Sequence, residues 1–431
     1  MIVERDHIGI FGKMNAGKSS LMNLLTQQET SIVDATPGTT ADTKISLFEL
    51  HGLGPVKLFD TAGADEESIL GEKKRKQVFE VLKECDVVLL VIDPSTKSFD
   101  TEKVILLEAR ALDKQILVFY NLFDVQSEES IVNIEKEVPL LKFYKKMALH
   151  AIDATMRKAL FKFVLDHYES KHVKRPLLPF LEKNEFYILN IPMDEETPPG
   201  RYLRPQAMCE EYITRNWAYP ASYRMDLGKA RSSKLSEKEE EKKKFFDFIH
   251  QFAKKPKGII TDSQAMDIMA QWCPSDMMLT TFSITMIEYF SKGRLEAFVH
   301  GVKVLKQLKA GDKVLIVEAC NHSRINEDIG TVQIPRYFKK YFPHVVVEHS
   351  FGRAFQEIEN LDAYSLIIHC GGCMIASQKL LARIRDLDAL GVPYTNYGVV
   401  LAYIQGVKAL QKVLEPWGIS FEWDSKLYKP T

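Results

Sequence analysis

A chain of 431 residues is long enough for two to four domains at roughly 100 to 200 residues each, and it can bury several cores without disulfide bonds. Its 57 Lys and Arg balance 58 Asp and Glu, a formal charge of -1, which disfavours a protein built to ride the phosphate backbone of nucleic acid. With 45% hydrophobic and 27% charged residues, the composition is that of a globular chain and excludes disorder and collagen-like repeats.

The apolar runs Val87 to Ile92 and Val399 to Ile404 fall far short of the roughly 18 to 20 residues that a membrane-spanning helix needs. A strand pattern beginning at His7 leaves no room for a signal peptide. The expectation is a cytoplasmic protein with no membrane or nucleic-acid partner. Six cysteines, at 85, 209, 273, 320, 370 and 373, are too few and too unevenly placed for a disulfide framework.

In chain order, the first candidate strands are His7 to Phe11, Val56 to Asp60, Asp86 to Asp93, Gln115 to Tyr120 and Met147 to Ala151, alternating with helical stretches as an open parallel sheet requires. Basic residues and two prolines at Lys171 to Pro179 form a candidate linker. A middle region holds the strand Phe186 to Ile191, the turn-rich Pro192 to Gly200, and a mixed charge run at Lys234 to Lys244 that reads as a solvated helix face. A third region begins near Thr261 to Gln271. Its buried strands are Val314 to Ala319, Val345 to Glu348 and Ser365 to Ile368, with a helix at Ser377 to Leu390. Met277, Met278 and Met286 read as packing on a helical stretch, and Cys85, Cys209 and Cys273 as core thiols.

Gly12-Lys-Met-Asn-Ala-Gly-Lys-Ser19 fits G-x-x-x-x-G-K-[ST] between a strand and an apolar helix. Gly12 and Gly17 let the backbone curl so that successive N–H groups, through Asn15, Ala16 and Ser20, face phosphate oxygens at a helix N-terminus. Lys18 is placed to neutralise the β and γ phosphates, and the Ser19 hydroxyl to bind Mg2+. Asp60-Thr-Ala-Gly63 ends a strand, where Asp60 holds the metal through water and the Gly63 N–H senses the γ phosphate. Thr36 to Thr40 offers a switch threonine, Thr40 or Thr39. Asn121-Leu-Phe-Asp124 follows another strand; a carboxylate there accepts two hydrogen bonds that guanine offers and adenine does not, which selects GTP.

On these motifs, residues 5 to 165 resemble the TrmE-Era-like GTPases. Leu122 replaces the lysine of the family's N-K-x-D motif, and only His150-Ala151 represents its fifth motif. Ala64 stands where Ras-like enzymes place a water-orienting glutamine, which implies slow intrinsic hydrolysis. Asn15 resembles the asparagine by which potassium-activated members bind K+, so the resemblance implies potassium-stimulated turnover.

Cys320-Asn-His322 and His369-Cys-Gly-Gly-Cys373 stand 46 residues apart between the histidines, each just past the C-terminal end of a candidate parallel strand. Ligand crevices of open α/β sheets form at that edge, so three thiols can converge. From spacing alone four readings stand open: zinc on three Cys and one His, a redox Cys-Gly-Gly-Cys pair, buried structural thiols, or an iron-sulfur cluster.

The pattern C-x-H-x46-H-C-x-x-C behind a GTPase domain, with Pro192 to Arg201, Pro205-Gln206, Ile260 to Ala265 and Asp276 to Ser283, resembles HydF, the family of GTPase scaffolds of FeFe-hydrogenase maturation. That resemblance implies a 4Fe-4S cluster on Cys320, Cys370 and Cys373, with a replaceable fourth ligand from His322, His369 or Asp194. It also implies a transiently docked di-iron precursor, a homodimer paired through the middle region, and radical maturation enzymes and apo-hydrogenase as partners. The resulting fold class is α/β: a P-loop GTPase domain at 1–170, a small mixed α+β dimerisation domain at 176–265, and a C-terminal doubly wound α/β cluster-binding domain at 266–431. The competing readings are an RNA-acting GTPase, which needs a basic second domain and no cluster, and a zinc-stabilised regulatory GTPase.

Overall fold

The computed structural model describes residues 5–26, 44–50, 53–61, 69–123, 128–168, 175–192, 203–318, 329–351, 355, 358 and 360–421. The chain divides into two compact units, Ile2–Val173 and Lys174–Thr431. No described helix is long and apolar enough to cross a membrane.

The N-terminal unit is a six-stranded sheet of β1 (Asp6–Phe11), β2 (Lys44–Leu50), β3 (Gly54–Asp60), β4 (Val87–Ile92), β5 (Gln115–Asn121) and β6 (Lys145–Leu149), in the order β2-β3-β1-β4-β5-β6. All neighbours run parallel except β2, which lies antiparallel on β3. Helices cover both faces, which is why β4 reads Val-Val-Leu-Leu-Val-Ile with every residue buried. One face packs Ile8, Ile10 and Leu58 against Leu21, Leu25, Leu160 and Val164. The other packs Phe11, Phe59 and Leu90 against Val78, Leu82 and Ile105. The unit closes on itself where the Tyr168 hydroxyl donates to Asp6 Oδ1 at 2.7 Å.

The second unit holds two four-stranded sheets, both parallel. The first is β7 (Phe186–Asn190), β8 (Tyr219–Tyr223), β9 (Gly258–Thr261) and β10 (Met278–Thr281) in the order β10-β9-β7-β8. This sheet therefore runs past residue 265 and takes in β10, and Met278 lies on a strand, not on a helix; Met286 is helical, within Phe282–Phe290. The charged run opens the helix Leu235–His250 but is not wholly solvated: Glu241 is 2% exposed and accepts from Tyr223 Oη at 2.8 Å and from the Asp226 N–H at 3.1 Å.

The last sheet is β11 (Lys313–Glu318), β12 (Val346–Phe351), β13 (Leu366–His369) and β14 (Tyr394–Asn396), in the order β12-β11-β13-β14. The chain winds outward in both directions from β11, so the crevice at the C-terminal ends of β11 and β13 is the topological switch point. One continuous core joins this sheet to the preceding one, from Ile188 and Phe245 through Ile287 and Phe298 to Ile316, Ile368 and Val400. Each such fully buried aliphatic side chain contributes about 1.5–3 kcal/mol relative to exposure. The candidate linker contributes to that core too, since Leu177 and Leu178 are buried.

Candidate functional site

The phosphate loop leaves β1 and enters the helix Lys18–Thr26. Gly12 has φ 149° and passes so close to β4 that an added Cβ would stand 2.2 Å from the Val91 carbonyl oxygen. Gly17 has φ 96°, and a Cβ there would meet Asn121 Nδ2 at 2.1 Å. Both glycines are thus required by space as well as by backbone conformation. Asn15 is exposed with φ 65°, a left-handed conformation that asparagine tolerates, which gives it a backbone role independent of any cation.

Lys18 is 7% exposed, and its Nζ donates to the Lys13 carbonyl at 2.7 Å, so the ammonium is folded back over its own loop. Ser19 Oγ donates to Asp60 Oδ2 at 2.5 Å. The other carboxylate oxygen, Asp60 Oδ1, is buried without a hydrogen-bond partner. Burial raises the Asp60 pKa above its ordinary value, opposed by the Ser19 hydroxyl and by Lys18. A buried, unpartnered acceptor beside a serine hydroxyl is a donor set suited to Mg2+.

Asn121 ends β5 and makes two buried bonds of opposite sense. Its Nδ2 donates to the Ala16 carbonyl at 3.0 Å, and its Oδ1 accepts from the Ala151 N–H at 3.0 Å. The weak fifth motif at His150-Ala151 is therefore tied to the phosphate loop through this one side chain. Gly63, Thr39, Thr40 and Asp124, which the sequence places at the γ phosphate, the metal and the base, lie outside the described residues.

The second site is the turn after β13. The Cys370 N–H donates to the Val317 carbonyl at 2.9 Å, extending the β11–β13 ladder by one rung, and so fixes Cys370 beside the end of β11. Gly372 turns the chain with φ 68°, and the Ile375 N–H closes the turn on the Gly372 carbonyl at 3.2 Å. Cys370 and Cys373 are half-buried and form no disulfide. Burial pushes the Cys373 thiol up to about 12; neighbouring Cys370 adds to the rise, and the Arg204 guanidinium opposes it.

His369 is 3% exposed and has both ring nitrogens engaged. Nε2 lies 3.1 Å from Arg383 Nη1 and Nδ1 lies 2.8 Å from the Cys370 carbonyl. A guanidinium can only donate, so Nε2 accepts and the ring proton sits on Nδ1, donating to Cys370 O. Arg383 is itself 2% exposed and faces the Phe355 ring at 4.8 Å. On the other side Asn396 Nδ2 donates to the His369 carbonyl at 3.3 Å.

Among the described residues no group of three or more His, Cys, Asp or Glu is assembled to hold a metal. Cys320, His322 and Asp194 lie outside the described residues. Two cysteines outside any disulfide in one turn at the switch point do suit a thiolate-bound group. Arg204, Arg383 and Asn396 carry no motif of their own, and sequence reading passes over them. The one signal was that Arg204 directly precedes Pro205-Gln206.

Residues 7–122 match the 50S ribosome-binding GTPase family, residues 229–293 the hydrogen maturase F dimerization domain, and residues 296–416 the hydrogen maturase F tetramerization domain. The segment read from sequence only as cluster-binding thus matches an assembly domain. Among curated relatives, the tRNA modification GTPase MnmE of Lachnoclostridium phytofermentans is 34% identical over 194 residues, 44% of this chain and 39% of that protein. The tRNA modification GTPase MnmE of Geobacter sulfurreducens is 42% identical over 110 residues, 25% of this chain and 24% of that protein. The chain spans less than half the length of either. A solved structure of Era in complex with MgGDPNP and nucleotides of 16S ribosomal RNA is 24% identical, with a TM-score of 0.33, over 41% of this chain and 60% of that one.

Proposed function

We propose that this chain, which belongs to the hydrogen maturase F family by its GTPase, dimerization and tetramerization domains, is a GTP-hydrolysing scaffold that carries a 4Fe-4S cluster and passes a di-iron precursor to an FeFe-hydrogenase. The observation that carries the cluster reading is the Cys370–Cys373 turn, locked to the end of β11 by the Cys370 N–H to Val317 bond at the switch point of its sheet. Cys320 follows β11 by two residues, which supports a third thiolate at the same edge. Cys370, Cys373 and Cys320 then hold the cluster, and His369 orients the Cys370 carbonyl. Three thiolates leave one iron of such a cluster able to accept an outside ligand, from His322, Asp194 or the precursor.

In the N-terminal unit Lys18, Ser19 and Asp60 bind the phosphates and Mg2+, with Gly63 and Thr39 or Thr40 as γ-phosphate sensors and Asp124 as the guanine reader. GTP acts as a conformational ligand whose γ-phosphate contacts bias docking or release of a partner. Hydrolysis is slow and stimulated by K+ through Asn15. The chain assembles with copies of itself and works in the cytoplasm with the radical maturation enzymes.

Purification without oxygen tests this directly. Visible iron-sulfur absorbance that is lost in Cys370→Ala supports the scaffold, whereas stoichiometric zinc in a colourless protein rejects it. Equal GTPase rates in sodium and potassium buffers would remove the role of Asn15. The RNA-acting alternative draws on the likeness to MnmE, which spans 44% of the chain; RNA-stimulated GTP turnover in a cluster-free protein is what it requires.

A further inference from the structure

Arg204 stands in the first turn of the helix Arg204–Arg215, where the helix dipole favours acidic over basic side chains. The stability of the helix does not explain a cation there. The turn is fixed by other means: Pro205 occupies its first turn, and the buried Gln206 side chain accepts from the Leu203 N–H at 3.0 Å.

From this anchored turn the guanidinium lies over the Phe290 ring, with Cζ 5.0 Å from the centroid. Phe290 ends the helix Phe282–Phe290 and is 2% exposed, so the ring is a fixed platform. Through Nη1 the guanidinium donates to the Cys373 carbonyl, 169 positions further along the chain. A planar fork stacked on a ring keeps its donors aimed in a way that a lysine ammonium cannot reproduce. Helix, ring and carbonyl together define the direction of this one side chain.

Resting on the reading of Cys370 and Cys373 as cluster ligands, we propose that Arg204 is a positioning residue of their turn. It pins the Cys373 carbonyl and sets a permanent positive charge beside the thiol pair, so the turn's hold on an anionic iron-sulfur centre depends on the helix Arg204–Arg215. Reduction adds an electron to that centre. A neighbouring cation therefore favours the reduced form over the oxidised one and raises the potential.

The test uses the full chain, reconstituted with ferrous iron and sulfide without oxygen, as wild type, Arg204→Met and Arg204→Lys. In Arg204→Met reduction becomes about tenfold less favourable, ~59 mV lower for a one-electron couple. Iron is lost to a chelator about 10- to 100-fold faster. Arg204→Lys, which keeps the charge but not the stacked fork, recovers most of the potential and only part of the iron retention. An Arg204→Met protein with wild-type loading, potential and chelator rate overturns the proposal and leaves the cluster reading intact. If Arg204→Met takes up no cluster, recovery of loading in Arg204→Lys supports the proposal and its absence overturns it. A wild-type chain that binds zinc and no iron-sulfur cluster overturns the parent reading and this one with it.

Discussion

Ser19 and Asp60, 41 positions apart, are joined directly, the serine hydroxyl donating to Asp60 Oδ2 at 2.5 Å while Oδ1 stays buried without a partner. The register Ile10↔Asp60 between β1 and β3 brings them together, because the loop after β1 and the end of β3 then open on the same sheet edge. Burying an acceptor without a donor costs free energy. A cation that binds both groups offsets that cost.

Asp60→Asn tests this relation through pH. A carboxyl whose folded pKa lies above its unfolded value contributes stability at low pH and loses it as pH rises through the folded value; Asp60 is raised from 3.8, chiefly by burial. Without Mg2+ and at pH 7, Asp60→Asn therefore unfolds its N-terminal unit at a higher temperature than wild type. The gain shrinks as the pH falls toward 3.8, and added GDP and Mg2+ stabilise the variant less than the wild type. Scanning fluorimetry across pH reads all three, and identical midpoints at pH 7 contradict the argument.

Gly12→Ala is expected to destabilise the N-terminal unit by at least about 1–3 kcal/mol, the scale of a strained backbone position. The methyl group points at the Val91 carbonyl, which β4 holds in place within the sheet. Denaturant unfolding measures the loss, and an unchanged midpoint means that the loop can shift away from β4.

Asn121→Ala removes the donor to Ala16 and the acceptor for Ala151 at once. Leaving two buried backbone groups unpaired costs about 1–3 kcal/mol each. Guanine nucleotide affinity falls with it, since the phosphate loop loses its tether to the segment after β6. Asn121→Asp keeps the acceptor but not the donor and lies between the two. A fluorescent GDP titration, read beside the unfolding midpoint, separates affinity from stability; wild-type values in both would show that the tether is idle.

His369→Leu should loosen the cysteine turn, whereas His369→Gln retains it. A glutamine amide can still donate to Cys370 O and accept from Arg383, the two contacts that His369 makes. On the proposed cluster reading, the leucine variant loses iron about 10- to 100-fold faster than wild type under a chelator, the scale of a lost outer contact. On the same reading, the reduced wild-type and His369→Gln proteins give the same nitrogen couplings by pulsed electron paramagnetic resonance. A coupling that disappears in His369→Gln identifies the imidazole as an iron ligand instead.

The parts of the fold that were legible were those with strong local signals. Val87–Ile92 announces itself by unbroken apolar burial, and Ser377–Leu390 by its helical period. The edge strands β2, β8, β10 and β14, and the inner strand β9, were not foreseen. Lys44–Leu50 is partly exposed, and Tyr394–Asn396 is three residues long; each is a strand because a neighbouring strand offers it a ladder. Met278 shows the same limit, its helical spacing overruled by pairing with Gly258.

The sequence by itself determined the chemistry on offer: a phosphate loop with its lysine and serine, an aspartate at a strand end, and cysteines at the ends of β11 and β13. These are local signals, since a motif needs only its own residues and the strand that precedes it. Only the tertiary structure decided which side chains act on those groups. Asn121 joins Ala16 to Ala151 across the sheet, Arg383 reaches Cys370 through His369, and Arg204 reaches Cys373 from a distant helix. Such residues have no spacing rule to betray them, because their partners are set by strand order and helix packing.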